Sequence, residues 1–85
     1  MLRFEKTCDA CPEQYDVFDG DKLVGYVRLR GSWLSACCPD LWGEEVYATQ
    51  IGDSGWDGCF EDDAQRKFHL TLIEAAILNW TKKNP

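Results

Sequence analysis

Cys8 and Cys11 stand three residues apart, the spacing of half a structural zinc site, and Cys37 with Cys38 could complete four thiolates. Zinc held there would stabilise a small domain and tie down its N-terminal segment. The adjacency of Cys37 and Cys38 works against the second pair. Neighbouring residues of a strand point to opposite faces, so both can ligate only if Pro39 has already broken the strand. The competing reading is that the five cysteines are thiols in a cytoplasm, since nothing in the sequence directs the chain to an oxidising compartment. A thioredoxin-like use of Cys8 and Cys11 lacks the βαβ pattern that should follow it.

Two other groups have chemistry-bearing types at suggestive spacing. Asp53-x-Gly55-x-Asp57-Gly58 resembles the opening of a calcium loop, with glycine at its sixth position. The third position is Gly55 and the twelfth is Ala64, where the loop needs oxygen ligands, so the segment reads instead as a polar loop leading into a helix. His69 is the single histidine and falls within the apolar arc of the last predicted helix. No serine, cysteine or carboxylate can be placed beside it as a catalytic partner. It reads as a core-edge histidine making one hydrogen bond, and enzymatic activity is not expected.

The strongest feature is a charge asymmetry. Residues 31–63 hold eight acidic side chains and no basic one, whereas the rest of the chain carries seven acids against all nine Lys and Arg. Trp42 and Trp56 lie among these acids. A segment that repels phosphate, attracts basic surfaces and offers large aromatic contacts is a candidate protein-binding face, comprising Trp42, Glu44, Glu45, Trp56, Asp57 and Glu61. The alternative is a solvated face whose tryptophans turn into the core. Arg28 and Arg30 share a strand face with Tyr26, and pairing with nearby acids accounts for them.

Composition narrows the classes. Eighty-five residues with 45% hydrophobic and 13% aromatic side chains make one small folded domain. The formal charge of −6 argues against direct binding to nucleic acid or anionic lipid, because affinity for phosphate comes from clustered Lys and Arg. No apolar run approaches the roughly 18–20 residues of a membrane span. The N-terminus has mixed charge and no apolar core of a secretory signal, so a cytoplasmic location is expected.

The positioning elements follow from periodicity. Residues 1–13 read as an irregular segment. A strand at about 14–18 runs into the turn signal Asp19-Gly20-Asp21. Residues 22–30 alternate, with Leu23, Gly25, Val27 and Leu29 on one face and Val24, Tyr26, Arg28 and Arg30 on the other. Gly31-Ser32 makes a second tight turn, 33–38 continue as a third strand, and Pro39 stops it. A fourth strand is expected at 44–51, followed by a Gly- and Asp-rich loop over 52–61. From 62 to about 82 the pattern is helical, opened by Asp62 and Gln65 as a capping box and closed by Lys82 and Lys83. Phe68, Leu72, Ile73, Ala76, Ile77 and Trp80 should cover its buried side. The expected class is α+β: an antiparallel meander of about four strands covered by one long C-terminal helix.

The run Tyr15-Asp16-Val17, Val24-Gly25-Tyr26-Val27-Arg28-Leu29-Arg30-Gly31, Gly43-Glu44-Glu45-Val46-Tyr47 and Gly58-Cys59-Phe60-Glu61-Asp62-Asp63 resembles small uncharacterised proteins of phages, prophages and other mobile elements. The similarity covers about residues 14–80, with Gly-Tyr-x-Arg-Leu-Arg-Gly as its most recognisable part. It implies a setting rather than an activity: compact acidic phage proteins often bind and inhibit a host protein. The expected function is therefore a non-enzymatic protein that binds a basic host protein, such as a nuclease or nucleic-acid-binding protein. The alternative is a zinc-stabilised accessory domain held by Cys8, Cys11, Cys37 and Cys38.

Overall fold

The structure, a computed structural model, describes residues 2–8, 12–51 and 59–84. Five strands, β1 (Arg3–Lys6), β2 (Glu13–Asp19), β3 (Lys22–Arg30), β4 (Trp33–Cys38) and β5 (Glu44–Gln50), precede one helix, α1 (Asp63–Lys83). The strands form one antiparallel sheet in sequence order, and α1 packs on one of its faces. The α+β meander is as expected, with one strand more. The additional strand, β1, falls within the segment expected to be irregular; it is short and largely charged, and its backbone is organised by pairing with β2 rather than by its own pattern.

Turn chemistry sets the register. Gly31 and Ser32 both take positive φ between Arg30 and its partner Trp33, as a two-residue primed turn requires. The Ser32 carbonyl accepts from the Ile51 N–H at 2.7 Å, which fixes that turn against the end of β5. Residue alternation fails at one place. The register between β2 and β3 shifts at Val17/Phe18, so Val24 and Gly25 are both buried while Leu23 is exposed. Val24 therefore belongs to the core and not to the face of Tyr26, a correction due to a β-bulge that no period-two count reveals.

The core lies between sheet and helix. Val17, Val27, Leu29, Leu34, Ala36 and Cys38 from the sheet meet Ile73 and Ile77, all of them 0–1% exposed. Gly25 lets the helix come close: a Cβ there would lie 2.9 Å from Ile77 Cδ1. The helix begins as expected, with Asp62 Oδ1 accepting from Gln65 N–H at 2.8 Å, and Lys82 and Lys83 fall in its last turn. Its buried stripe differs from the expected one. Ile73 and Ile77 face the sheet with Leu70 and Trp80 beside them, whereas Phe68 is 61% exposed and Leu72 is 41% exposed. At about 100° per residue Leu72 stands roughly 100° and Phe68 roughly 140° from Ile73, too far round to reach the sheet.

Candidate protein-binding face

Beyond β4 the chain makes a compact turn that presents Trp42. The Asp40 carbonyl accepts from Gly43 N–H at 3.0 Å, and Asp40 Oδ1 accepts from Trp42 N–H at 2.9 Å. Backbone and side chain of one aspartate thus close the same turn, the local arrangement that favours aspartate in loops. Gly43 is required by space: a Cβ would fall 1.9 Å from the Cys38 carbonyl oxygen. The result is a braced loop with Trp42 88% exposed and Leu41 exposed beside it. A tryptophan held in solvent by a fixed backbone loses little entropy on binding.

Glu44 and Glu45 follow directly and are both exposed at the start of β5. They border a shallow cleft of about 410 Å³ with Ala76, Asn79, Trp80 and Lys83, which places them at the C-terminal end of α1. Trp42, Glu44 and Glu45 therefore form one neighbourhood. Glu61 does not join it. It lies just before the helix N-cap, where its N–H donates to Gln65 Oε1 at 2.7 Å. The 21 residues of α1 span about 30 Å between the two ends. Trp56 and Asp57 lie outside the described residues, as does the Asp53–Gly58 loop.

Of the thiols expected to bind zinc, the three described, Cys8, Cys37 and Cys38, are dispersed. Cys38 is fully buried against the helix side of the sheet, and Cys37 points to the opposite face. Burial pushes the Cys38 thiol up to about 11, helped by Cys37 and Glu44, and burial also raises Cys37. Cys8 follows β1, with β2 and β3 between it and β4, a lateral separation of about 14 Å at normal strand spacing. Cys11 lies outside the described residues. Among the described residues no group of three or more His, Cys, Asp or Glu side chains could hold a metal ion. Cys59 is disulfide-bonded, so the expectation that all five cysteines are thiols does not hold. Spacing along the chain does not say which cysteines the fold brings together. Disulfides persist mainly in oxidising compartments, which weighs against the cytoplasmic reading. Among the described residues no helix is long and apolar enough to cross a membrane.

A buried polar cluster at the other end of the molecule was not anticipated. Glu13, 1% exposed, accepts from Arg66 Nη2 at 2.7 Å, Arg66 Nε at 3.1 Å and the Tyr15 hydroxyl at 2.7 Å. The Phe60 N–H adds a fourth, longer contact at 3.4 Å. Arg66 also reaches Asp63, one helical turn back. The carboxylate is thus fully satisfied, and the cluster ties β2 to the first turns of α1. A signal was present: Glu13, Tyr15 and Val17 are spaced by two and share the buried face. His69 sits close by, its Nδ1 2.9 Å from the Tyr47 hydroxyl and its ring stacked on Phe60. It is a half-buried histidine with a hydroxyl partner at the rim of the core, as its place in the helix suggested.

These groups set a pH window. Burial alone would raise Glu13, but its bonds to Arg66 and Tyr15 outweigh that and leave it below 4.5. Its contribution is present above about 4.5 and is lost as pH falls through the lower folded value. Burial lowers His69 below 6.5, so stability also declines as pH falls from 6.5 toward that lower value. Burial and the Glu13 carboxylate push Tyr15 up to about 12; its share is present below 10 and is lost as pH rises toward 12. The raised Cys37 and Cys38 thiols begin that loss earlier, from about 9, so thermal unfolding followed by circular dichroism should show a plateau between pH 6.5 and 9 and a falling Tm on both sides. Glu13→Gln should flatten the decline below pH 4.5.

No protein-family model, no curated protein and no solved structure matches the chain.

Proposed function

We propose that this is a small acidic phage or mobile-element protein that binds a basic host protein through the turn bearing Trp42. The observation that carries the reading is the 88% exposure of Trp42 on a loop closed by two hydrogen bonds, with Glu44 and Glu45 beside it. A tryptophan held in solvent beside charged side chains has the composition of a binding hot spot. The adjacent carboxylates select a partner rich in Lys and Arg, steering it into contact and suppressing acidic competitors. A nuclease or nucleic-acid-binding protein offers such a surface, and covering it would block the substrate.

Glu44→Lys with Glu45→Lys should leave the fold intact, since both are exposed, and should slow association with a basic partner. Wild-type binding should weaken as ionic strength rises, and the variant's should not. An association rate equal in the two proteins and insensitive to salt would remove the electrostatic part of the proposal. The zinc-stabilised alternative has no supporting geometry among the described residues.

A further inference from the structure

Among the described residues nothing packs on the sheet face turned away from α1, and its charges are sorted along the strands. The register aligns Glu5, Asp16, Tyr26, Cys37 and Glu45 in one row across all five strands. One row further on stands Arg28, between Gln14 and Ser35, and one row beyond that Arg30 faces Trp33. Successive rows on one face are about 6.6 Å apart. Three carboxylates therefore occupy one row, and two arginines lie in the two rows to one side of it. On the other side Arg3 is held by Glu5 at 2.7 Å and lies over the Phe18 ring at 4.9 Å. The side chains of Arg28 and Arg30, by contrast, make no hydrogen bond or ion pair with any described residue, contrary to the pairing expected from the sequence.

Arg3, Arg28 and Arg30 balance Glu5, Asp16 and Glu45, so this face is neutral on a chain of net charge −6. It also carries the half-exposed Trp33 and the partly exposed Phe18 and Tyr26. Whether a neutral, aromatic, charge-sorted face is self-complementary depends on the axis that pairs it. A two-fold axis lying in the interface and running along the strands would set carboxylate row on carboxylate row. A two-fold axis running across the strands, between the two rows, sets each copy's carboxylate row over the other's Arg28 row, twice.

We propose that the open sheet face is where two copies of this chain pair, sheet against sheet, about a two-fold axis running across the strands. Five strands at about 4.8 Å and the seven residues of β2 or β5 at about 3.3 Å give a face of roughly 24 by 23 Å. Pairing covers about 550 Å² on each copy, or about 1,100 Å² in total, just above the roughly 1,000 Å² of a specific interface. The dimer is accordingly weak and concentration-dependent. Trp42 lies beyond the end of β4, off this face, and Glu45 is the residue that its neighbourhood and this face share.

Sedimentation across a concentration series tests the pairing. Wild type should approach twice the 9.7 kDa of one chain, while Arg28→Glu with Arg30→Glu, and separately Glu5→Lys with Asp16→Lys, should each remain monomeric. An equimolar mixture of the two reversed variants should recover a heterodimer, because every swapped contact is then opposite in sign. Circular dichroism establishes that each variant is folded. Wild type that is monomeric at every concentration would overturn the proposal, as would dimers indifferent to either reversal or reversed variants that fail to pair. A monomer that uses Arg28 and Arg30 to hold a single-stranded oligonucleotide would overturn it equally.

Discussion

Arg66→Met is expected to lower the free energy of unfolding by about 3–5 kcal/mol, because it strands the Glu13 carboxylate in the core. Glu13 keeps only the Tyr15 hydroxyl and a long contact from Phe60 N–H once the guanidinium is gone. For 85 residues the whole stability is of order 4–13 kcal/mol, so the loss is a large part of it. A Tm lower by more than about 12 °C is the matching thermal readout for a domain of this size. Glu13→Leu combined with Arg66→Met should recover at least half of the deficit. An apolar pair removes the stranded charge, although Tyr15 then loses its acceptor. Chemical denaturation of the two single variants and the double gives the coupling directly. If Arg66→Met cost under about 1 kcal/mol, the carboxylate would have to be reaching water, and the cluster would not be the tie between β2 and α1.

Trp42→Ala should have the opposite profile, with little effect on the fold and a large one on binding. Its side chain is almost wholly in solvent, and the turn is closed by Asp40 and Gly43 backbone groups that alanine leaves in place. Stability should therefore change by less than about 0.5 kcal/mol. Affinity for the partner should fall by about 2 kcal/mol or more, roughly 30-fold, mostly through faster dissociation. Trp42→Phe should retain much of the affinity, since an aromatic ring still fills the partner's pocket. A calorimetric or surface-plasmon titration with the captured partner reads both numbers.

What could be read from the chain follows a physical division. Alternation in β3, the stop at Pro39 and the Asp62 cap are local signals, and each element appears where its signal lies. Whatever depends on pairing between distant segments was hidden. β1 has four residues with little pattern and exists because β2 offers it an edge. Val24 turns inward because a bulge displaces it, and Phe68 and Leu72 turn outward because the helix buries a narrow stripe centred on Ile73 and Ile77. Glu13 fell within the segment expected to be irregular, and its partner Arg66 lies 53 residues away. The binding face shows the same limit. Trp42, Glu44 and Glu45 are neighbours in space because they are neighbours in one turn, whereas Glu61 shares their charge and sits at the far end of α1.

The central claim is that the Trp42 turn holds a basic partner, and parallel affinity capture addresses it most directly. Immobilised wild type, Trp42→Ala and Glu44→Lys/Glu45→Lys would be presented to one bacterial host lysate, with retained proteins identified and their affinities measured after purification. The account predicts a basic nuclease or nucleic-acid-binding protein retained by wild type and lost from both variants, with all three proteins equally folded. Equal retention by all three, or retention by none, would contradict it and return the turn to an ordinary solvated loop.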